Sequence, residues 1–426
     1  MIKIHNKMNE TKYFPTTEAI DKAATVLSEI LDPTPFQRNN NLSDQYDADI
    51  YLKREDLQIV RSYKIRGAYN KIRSMAPSAL KHGIVCASAG NHAQGVAFSC
   101  NKLQIMGSIF MPVTTPKQKI EQVRMFGREF IEIVLTGDTF DAANSAAIKY
   151  ANENGKTFIP PFDDPKVMEG QGTIGREILN QTSAPLDYIF VPIGGGGLAS
   201  GLGSYIKAMS PQTKIIGVEP GGAPCMKAAI GNGCPIELEE IDKFVDGAAV
   251  KKAGALTYEV CKEVLDDIVI VPEGAVCTMI IQMYNKSAIV VEPAGALATA
   301  ALRFYADKIK GKRVACIVSG SNNDITRMEE IREKSLLYEG LKHYFIVEFP
   351  QKPGVIVSFI NNVIGPSDDL VLIQYMKKTN KNQGPALIGI ELASKDDFEP
   401  LIARMDAIGI KYEYINENNQ LFEILI

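Results

Sequence analysis

Short apolar runs rich in β-branched residues alternate with amphipathic segments of helical period up to about residue 330. Segments such as "NHAQGVAFSCNKL", "TPKQKIEQVRMFG" and "EPAGALATAALRFYADKIKGK" predict helices, because each opens with a cap residue or a proline. The repeated order of strand, helix and strand predicts an α/β fold with parallel sheets that helices cover on both faces. The predicted strands are residues 83–88, 108–113, 130–135, 188–193, 215–219, 268–271 and 314–318.

The pattern changes near residue 340. "HYFIVEF" alternates like a half-buried strand, and "PQKPGVIVSFINNVI" predicts a turn and a helix. "DDLVLIQYMKK" and "GPALIGIELA" predict two strands, "KDDFEPLIARMDAIG" a second helix, and "NQLFEILI" a last strand. This β-α-β-β-α-β order is that of a ferredoxin-like unit. Since "MEEIREKSLLYEG" predicts a helix and a linker, we divide the chain into residues 1–330, a linker at 331–340 and an α+β domain at 341–426.

The composition argues against several classes of protein. Hydrophobic residues make up 46% and charged residues 23% of the chain, as in ordinary globular proteins. A net charge of −4, spread along the chain, argues against a nucleic-acid-binding or anionic-membrane surface. No apolar run is long enough to span a bilayer, and the first residues lack the apolar core of a secretion signal. We expect a cytoplasmic protein that acts on small molecules, without a nucleic-acid or membrane partner.

The seven cysteines are scattered and form no C-x-x-C pair that would bind a metal or cycle between redox states. Most of them stand among apolar neighbours. We interpret them as reduced core residues.

Four glycines in "FVPIGGGGLASGLG" follow a predicted strand and open a predicted helix, so their backbone amides are suited to hold a phosphate. The stretch lacks the Lys-Ser/Thr of a P-loop. Gly194, Gly196 and Ala199 fit the dinucleotide-binding pattern G-x-G-x-x-G/A, and Glu219 ends the next strand, so a dinucleotide site is an alternative. A purely structural turn is the other alternative.

Two further strand ends carry polar residues. In "CASAGNHAQGVA" the chain turns at Gly90 and Asn91, whose amides are suited to a carboxylate; the alternative is an ordinary helix cap. His92 by itself is more typical of a surface or capping residue than of a metal ligand. "ACIVSGSNND" places serines at the carboxyl end of a strand, where open α/β proteins bind ligands, unless this is only a polar turn.

Lys64 lies in "VRSYKIRGAYNKI", between an aromatic residue and a basic, glycine-containing stretch. Taken alone, it is typical of a solvated helix lysine. Together, a phosphate cradle, a carboxylate-binding turn, a strand-end serine and a lysine are what an aldehyde cofactor with a phosphate tail requires. We predict that Lys64 anchors such a cofactor.

The motifs "SYKIRGA", "SAGNHAQG", "PPFDD", "GQGT", "GGGGLASG", "EPAGA" and "SGSNN", in this order, resemble the pyridoxal-phosphate enzymes of the tryptophan-synthase β fold. Within that fold the chain is most similar to the biosynthetic threonine deaminases, also called threonine dehydratases or ammonia-lyases. The resemblance covers residues 12 to about 330, and the tail resembles the single ACT-like regulatory domain of their short form. It implies two doubly wound lobes, the small one at about 55–160 inserted in the large one.

The resemblance also implies roles for individual residues. Lys64 is implied as the Schiff-base lysine of pyridoxal 5'-phosphate and as the base that removes the substrate α-proton. Tyr63 is implied beside the ring and Asn91 at its 3'-oxygen. Ser319 is implied at the pyridine nitrogen, with Ser321 as an open alternative. The phosphate is assigned to Gly194, Gly195, Gly196, Gly197 and Leu198, and the substrate carboxylate to Ser88, Ala89, Gly90, Asn91 and His92.

The reaction implied is β-elimination of the hydroxyl of L-threonine, and more slowly of L-serine, to give 2-oxobutanoate (from threonine) and ammonia. This is the entry step to isoleucine, and the tail implies feedback by an amino acid, isoleucine, in a homotetramer. Ala89 replaces the serine of related racemases, and Cys225 replaces an acid of their divalent-metal site, so we predict neither racemisation nor that metal site.

Four alternatives stay open. Two lie within the same class, a catabolic serine or threonine dehydratase and a serine racemase. Outside it are a nucleotide-dependent dehydrogenase built on the glycine run and Glu219, and an amino-acid sensor without catalytic activity.

Overall fold

The computed structural model describes residues 13–375 and 382–425. By its internal contacts the chain divides into two units, Met1–Ile325 and Thr326–Ile426. No helix within the described residues has both the length and the hydrophobicity to cross a membrane.

The strands of the first unit form two sheets. Six strands form the larger sheet in the order β1-β2-β10-β7-β8-β9, and four form the smaller one in the order β5-β4-β3-β6. All pairings are parallel except that of β1 with β2, which is antiparallel. The strands are β1 (Phe36–Arg38), β2 (Asp49–Arg54), β3 (Ile84–Ala87), β4 (Gly107–Met111), β5 (Ile131–Leu135), β6 (Thr157–Phe158), β7 (Tyr188–Pro192), β8 (Lys214–Pro220), β9 (Asp267–Val271) and β10 (Arg313–Val318).

Helices connect these strands and cover the sheets. They are α1 (Thr17–Leu27), α2 (Asn40–Tyr46), α3 (Lys64–Arg73), α4 (Pro77–Leu80), α5 (Asn91–Leu103), α6 (Lys117–Gly127), α7 (Phe140–Glu153), α8 (Pro165–Gln181), α9 (Gly197–Met209), α10 (Cys225–Asn232), α11 (Ala255–Val264), α12 (Glu273–Ser287), α13 (Pro293–Ala300) and α14 (Ala306–Ile309). All seven predicted strands are confirmed to within two residues, while β1, β2 and β6 were not predicted. The helix predicted from "EPAGALATAALRFYADKIKGK" is broken by a 3₁₀ turn at Ala301–Phe304.

Each sheet is buried on both faces, as the near-continuous apolar strands predict. Side chains alternate along β3, so Ile84 and Cys86 pack with helices α3 and α5 on one face. Val85 and Ala87 pack with α7 on the opposite face. In the larger sheet, β7 and β10 pack against α8 and α9 on one face and contact α13 as well.

The loops that leave β3, β7 and β10 matter for function. Ser88 follows β3, Gly194 follows β7, and Ser319 follows β10. These are the carboxyl ends of parallel strands, where open α/β sheets bind ligands. The three motif-bearing turns of the sequence therefore emerge at the ligand-binding edges of the two sheets.

The second unit is an antiparallel sheet of order β12-β13-β11-β14 with helices packed on it. Its core lies between the sheet and helices α16 and α17. The elements are α15 (Met328–Tyr338), β11 (Lys342–Pro350), α16 (Val355–Val363), β12 (Asp369–Tyr375), β13 (Gln383–Glu391), α17 (Phe398–Ala407), β14 (Lys411–Tyr414) and α18 (Asn419–Leu425). The predicted ferredoxin-like order is confirmed, and α15 overlaps the segment 331–340 that the sequence assigns to a linker.

One element of this unit was predicted wrongly. "NQLFEILI", predicted as the last strand, forms helix α18, and β14 lies upstream in "KYEY". Asn418 caps the helix by accepting the Leu421 amide at 3.2 Å, and Phe422 packs on Tyr344. Cap chemistry and one-sided packing therefore outweigh the β-propensity of the segment.

Candidate active site

A cavity of 610 Å³ opens at the carboxyl edges of both sheets in the first unit. It is lined by every residue to which the sequence assigns a site role: Tyr63, Lys64, Ser88, Ala89, Gly90, Asn91, His92, Gly194, Gly195, Gly196, Gly197, Leu198 and Ser319. Ser321, the alternative to Ser319, is not part of the lining. The volume is that of a typical small-molecule site.

Lys64 is the first residue of α3 and projects into this cavity. Its Nζ donates one hydrogen bond, to the Pro161 carbonyl oxygen at 3.0 Å, and lies 5.4 Å from the centroid of the Tyr63 ring. Burial lowers the pKa of Lys64 to about 8, against a weaker opposing effect of Glu292. An amine in this setting is poised to be neutral and nucleophilic.

The four-glycine turn after β7 has free donors but occupied acceptors. The carbonyl oxygens of Gly194, Gly195 and Gly196 accept hydrogen bonds from Cys225, Thr257 and Cys261 side chains. Throughout 13–375 and 382–425, no acceptor is found for the amides from Gly194 to Leu198. A loop that satisfies its carbonyls and leaves its amides open at a helix N-terminus is built to bind an anion.

Close packing explains why these positions are glycine. A Cβ at Gly195 would lie 2.4 Å from the Phe162 ring, and one at Gly197 would lie 2.9 Å from the Phe162 Cβ. Gly196, the N-cap of α9, has φ +95°, a conformation that favours glycine. Close packing and backbone conformation therefore require glycine at these positions, and the turn is also suited to a phosphate.

The motif "PPFDD" holds the walls of the cavity together. Pro161 accepts from Lys64, and Phe162 packs against the glycine turn. Asp163 accepts the first three amides of α11 at 2.9–3.1 Å. Asp164 caps α8 and pairs with Lys71 at 2.6 Å. Each of these residues fixes a different element around Lys64.

The turn after β3 is the second set of open donors. Gly90 is the N-cap of α5 and provides no side-chain cap, and in the described part of the chain the amides of Asn91, His92 and Ala93 find no acceptor. The Gly90 amide is itself held by the Ser88 hydroxyl at 3.2 Å. An anionic group such as a carboxylate fits this helix end.

His92 is a buried residue, which corrects the expectation of a surface or capping role. Its Nε2 lies 3.0 Å from the Ile159 carbonyl oxygen, and burial together with nearby Lys64 lowers its pKa to about 3. The ring is therefore neutral and adds no positive charge beside the Lys64 amine.

Asn91 lies in a chain of side-chain hydrogen bonds that the sequence analysis did not find. Its Nδ2 donates to Glu292 Oε1 at 2.6 Å, and its Oδ1 accepts from Asn322 Nδ2 at 2.7 Å. Glu292 and Asn322 come from "EPAGA" and "SGSNN", motifs quoted for the resemblance without a role. Only their motif membership could have indicated them, because Asn91 is 201 positions from Glu292 and 231 from Asn322 in sequence.

Ser319 and Ser321 differ in position. The Ser319 hydroxyl is buried, donates to the Ala294 carbonyl oxygen at 3.0 Å and lines the cavity. The Ser321 hydroxyl instead donates to the Asp56 carbonyl oxygen at 3.1 Å. Tyr63 is held beside Ser319, because its amide donates to the Ser319 carbonyl at 3.1 Å.

Glu219 does not fit the dinucleotide alternative. Its buried carboxylate accepts the amides of Met226 at 2.7 Å and Lys227 at 2.9 Å, and burial raises its pKa to about 7. Both of its oxygens cap α10, and Glu219 is not among the residues that line the cavity. The neighbouring Cys225 thiol donates to Gly194, and six of the seven free cysteines are buried; Cys234 is the exposed exception.

A second set of charges lies on the other side of α3. All five N–H donors of Arg66 are used by Glu55, Glu177 and Thr173 at 2.5–3.1 Å. Lys53 Nζ also pairs with Glu177, at 2.5 Å. We call Lys53, Glu55, Arg66 and Glu177 the ion cluster. Its members lie away from the cavity and fix α3 on α8.

Comparison with known proteins places this geometry in a family. Residues 27–320 match the model of the pyridoxal-phosphate dependent enzymes, and residues 333–425 match the C-terminal regulatory domain of threonine dehydratase. A biosynthetic L-threonine dehydratase of Halalkalibacterium halodurans is 55% identical over 409 residues, which are 96% of this chain and 99% of the relative. The Bacillus subtilis relative of the same name is 54% identical over 405 residues, 95% and 96% of the two chains. The chain belongs to the biosynthetic threonine dehydratases.

Solved structures agree with this assignment. The processed form of threonine deaminase isoform 2 from Solanum lycopersicum matches with a TM-score of 0.71 and 37% identity, over 76% of this chain and 96% of that one. Maize serine racemase matches with a TM-score of 0.70 and 28% identity, over 76% and 99%. Racemases and dehydratases thus share this fold, and the residues in the cavity must separate their reactions.

The cofactor of this dehydratase family member is pyridoxal 5'-phosphate, and the cavity fits it. Open amides from Gly194 to Leu198 suit the phosphate, and a lysine with a lowered pKa suits the aldehyde. The nucleotide-dependent dehydrogenase interpretation is wrong, since it leaves Lys64 unexplained and its acidic residue, Glu219, is used as a helix cap.

Proposed function

We propose that the chain deaminates L-threonine, and L-serine more slowly, with pyridoxal 5'-phosphate attached to Lys64. The products from threonine are 2-oxobutanoate and ammonia, and the reaction is the entry step to isoleucine. The observation that carries this proposal is one cavity with a lysine of lowered pKa and two rows of free amides. One row suits a phosphate and the other a substrate carboxylate.

We assign the residue roles as follows. When bound, the cofactor supplies a ring that withdraws electrons from the bonds of the substrate α-carbon. Lys64 Nζ holds the cofactor covalently and, once released by the incoming amino acid, takes the α-proton, for which its pKa of about 8 is well matched. Amides from Gly194 to Leu198 hold the phosphate. The Ser88–His92 turn (Ser88, Ala89, Gly90, Asn91 and His92) orients the carboxylate.

Three side chains complete the assignment. Asn91 would bind the 3'-oxygen of the cofactor ring, and Tyr63, whose ring centroid is 5.4 Å from Lys64 Nζ, would lie beside that ring. Ser319 would face the ring nitrogen in preference to Ser321, because Ser319 lines the cavity and Ser321 is not part of the lining. A neutral hydroxyl does not hold a proton on that nitrogen as a carboxylate would, so elimination is favoured over transamination.

The residue at position 89 bears on racemisation. Ala89 lines the cavity without a hydroxyl that can return a proton to the other face of the substrate. We expect deamination without D-amino acid as a product. Assaying the unaltered chain and an Ala89→Ser variant side by side for D-serine tests this. Formation of D-serine by the unaltered chain contradicts the assignment.

We propose that residues 1–330 are catalytic, with a small lobe at about 55–160, and that residues 341–426 bind an amino-acid effector. Isoleucine, as the pathway product, is the effector we propose, acting as a feedback inhibitor of a cytoplasmic homotetramer. The match of residues 333–425 to a regulatory domain supports this. Inhibition by isoleucine of the full chain, and its loss in a chain ending at residue 330 that still turns over threonine, are the expected results.

The decisive experiment for the activity follows the visible absorbance of the purified protein during addition of L-threonine. We expect a yellow protein whose spectrum changes as 2-oxobutanoate accumulates. Borohydride reduction followed by peptide mapping should attach the cofactor to Lys64. A label on another lysine, or 2-oxobutanoate formation by Lys64→Ala at the unaltered rate, contradicts the proposal.

A further inference from the structure

Glu292 occupies a helix start without capping the helix. It is the N-cap residue of α13, yet its side chain makes no cap hydrogen bond. Instead the carboxylate reaches the cavity and is 4% exposed. A buried carboxylate that serves neither its own helix nor an ion pair is costly to the fold, and such groups persist where function requires them.

The hydrogen-bond chain through Glu292 fixes the orientation of Asn91. Glu292 Oε1 can only accept when ionised, so the amide nitrogen of Asn91 faces it. Asn322 Nδ2 donates to Asn91 Oδ1, and also to the Val60 carbonyl oxygen at 3.0 Å, so the Asn91 oxygen faces the other way. One N–H of the Asn91 amide stays unused by protein groups within the described residues.

The surroundings are shaped around this carboxyl group. A Cβ at Gly320 would lie 2.4 Å from Glu292 Oε1, and a Cβ at Gly247 would lie 3.4 Å from it. The Glu292 amide also donates to the Gly320 carbonyl at 3.2 Å. A side chain larger than glycine at Gly320 would displace the carboxyl from Asn91.

The charged groups around Glu292 do not neutralise it. Asp246 repels it, while Lys119, which itself pairs with Asp246 at 2.5 Å, attracts it only from a distance. Lys64, the first residue of α3, and Tyr63, its N-cap, also interact with Glu292 electrostatically. Burial first, and Asp246 second, raise the pKa of Glu292 to about 7, and the hydrogen bond from Asn91, the charge of Lys119 and a hydrogen bond from the Asn322 backbone amide oppose this. No ion pair of Glu292 is found in the part of the chain that the structure describes.

We propose that Glu292 is a positioning residue of the active site, which holds the Asn91 amide with one N–H directed away from Glu292 and available to the cofactor ring oxygen. The inference rests on the proposed function, because it assigns Asn91 to the cofactor. Glu292 acts through Asn91, so removing Glu292 has no effect once Asn91 is gone.

The test measures the dissociation constant of pyridoxal 5'-phosphate by visible absorbance at pH 8 for the full chain. Glu292→Ala should weaken binding about tenfold, because the Asn91 amide loses a charge-assisted hydrogen bond and its fixed orientation. Glu292→Gln should restore the affinity to within about threefold, since the glutamine carbonyl accepts the same hydrogen. Glutamine also fills the same volume as glutamate, so the separation from a packing role comes from a double-mutant cycle with Asn91.

A double-mutant cycle decides whether the effect passes through Asn91. Glu292→Ala added to Asn91→Ala should change the dissociation constant less than twofold, roughly the limit of additivity error. Additive losses overturn the proposal, as does unaltered cofactor affinity in Glu292→Ala.

Two controls separate this proposal from its neighbours. Glu169→Gln changes another buried carboxylate of the same unit, which pairs with Lys166 on α8 and does not line the cavity, and should leave the cofactor affinity unchanged. If the unaltered chain binds no cofactor at Lys64, the proposed function fails. If it binds the cofactor there and Glu292→Ala binds it equally well, only the positioning role fails.

Discussion

Helix α3 carries members of two groups of buried polar residues, one paired within the protein and the other left open to a ligand. Arg66 belongs to the ion cluster, where two cations and two carboxylates pair and every N–H of Arg66 has an acceptor. Lys64, two residues earlier, faces the cavity with a single carbonyl as its acceptor. On the far wall, Glu292 accepts from the Asn91 side chain and the Asn322 backbone amide, and no ion pair of it is found among the described residues.

The difference separates stability from chemistry. Charges that are paired in the interior fix elements in place, but they offer nothing to a ligand. Charges and amides left unpaired in the interior destabilise the folded chain, and a ligand with the complementary groups restores that free energy. The cavity thus presents unpaired polar groups to a ligand, whereas the charged groups of the neighbouring ion cluster are paired with one another.

The largest expected effect comes from Lys64→Ala. Turnover of threonine should fall by at least about 10³-fold, because the residue that holds the cofactor and takes the proton is lost. Without cofactor, however, the variant should be at least as stable as the unaltered chain, since a poorly paired buried amine is removed. Activity assays and denaturant unfolding of the apo protein measure the two effects.

The pH dependence sharpens this prediction. Burial lowers the pKa of Lys64 to about 8 from an ordinary 10.5, so between these values the unfolded chain binds more protons than the folded one. The stability deficit due to Lys64 should be complete below pH 8 and vanish as pH rises to 10.5. If Lys64→Ala is less stable than the unaltered apo chain at pH 7, the contrast between Lys64 and the ion cluster is wrong.

Arg66→Met should do the reverse. Loss of the guanidinium leaves Glu55 and Glu177 with Lys53 as their remaining cation, which we expect to cost about 3–5 kcal/mol of unfolding free energy. Cofactor affinity of the fraction that remains folded should change little. Denaturant unfolding at pH 7 checks the loss.

The matched variant combines Arg66→Met with Glu55→Gln. It removes one cation and one anion, so part of the stability should return even though two native groups are gone. A double variant that is less stable than Arg66→Met alone would show that charge balance does not govern this region.

Sequence patterns predicted the residues of the ligand-binding cavity better than those of the ion cluster. The strand–glycine–helix order of residues 188–209 follows from local rules, since strand periodicity and helix ends are encoded by neighbours. Lys64, which taken alone is typical of a solvated helix lysine, was predicted from the motifs that accompany it. The ion cluster joins residues from 53 to 177 and has no local signature. In the sequence, a charged residue that the fold buries cannot be distinguished from one on the surface, because its partners lie far away along the chain.

Glu292 shows a second limit. A glutamate before a proline at the start of a helix is typical of an ordinary helix start, so nothing local distinguishes a carboxylate that reaches Asn91 from one that caps its own helix. In the second unit, helix α18 was mistaken for a strand because "LFEILI" has strand-like composition, while its Asn418 cap depends on only one residue.

Glu292→Gln should raise the stability of the apo protein. Its pKa is about 7 in the fold against an ordinary 4.5, so the folded chain binds more protons than the unfolded one between these values and stability falls as pH rises. The variant should match the unaltered chain at pH 4.5 and exceed it by about 3 kcal/mol above pH 7. Unfolding at several pH values measures the difference, and a constant offset would contradict the assigned cause.

The smallest effect concerns the free amides and their glycine geometry. In Gly195→Ala the new methyl would meet the Phe162 ring at 2.4 Å, so the turn must shift and its amides with it. We expect the cofactor dissociation constant to rise about tenfold, equivalent to about 1.4 kcal/mol. Gly231→Ala is the matched control, because its Cβ meets nothing within 4 Å in helix α10. Adding Phe162→Ala to Gly195→Ala tests the cause of this loss. If the double variant regains part of the cofactor affinity, the loss is steric. If it does not, Phe162 itself holds the amides in place, and the geometry of the open donors depends on its packing.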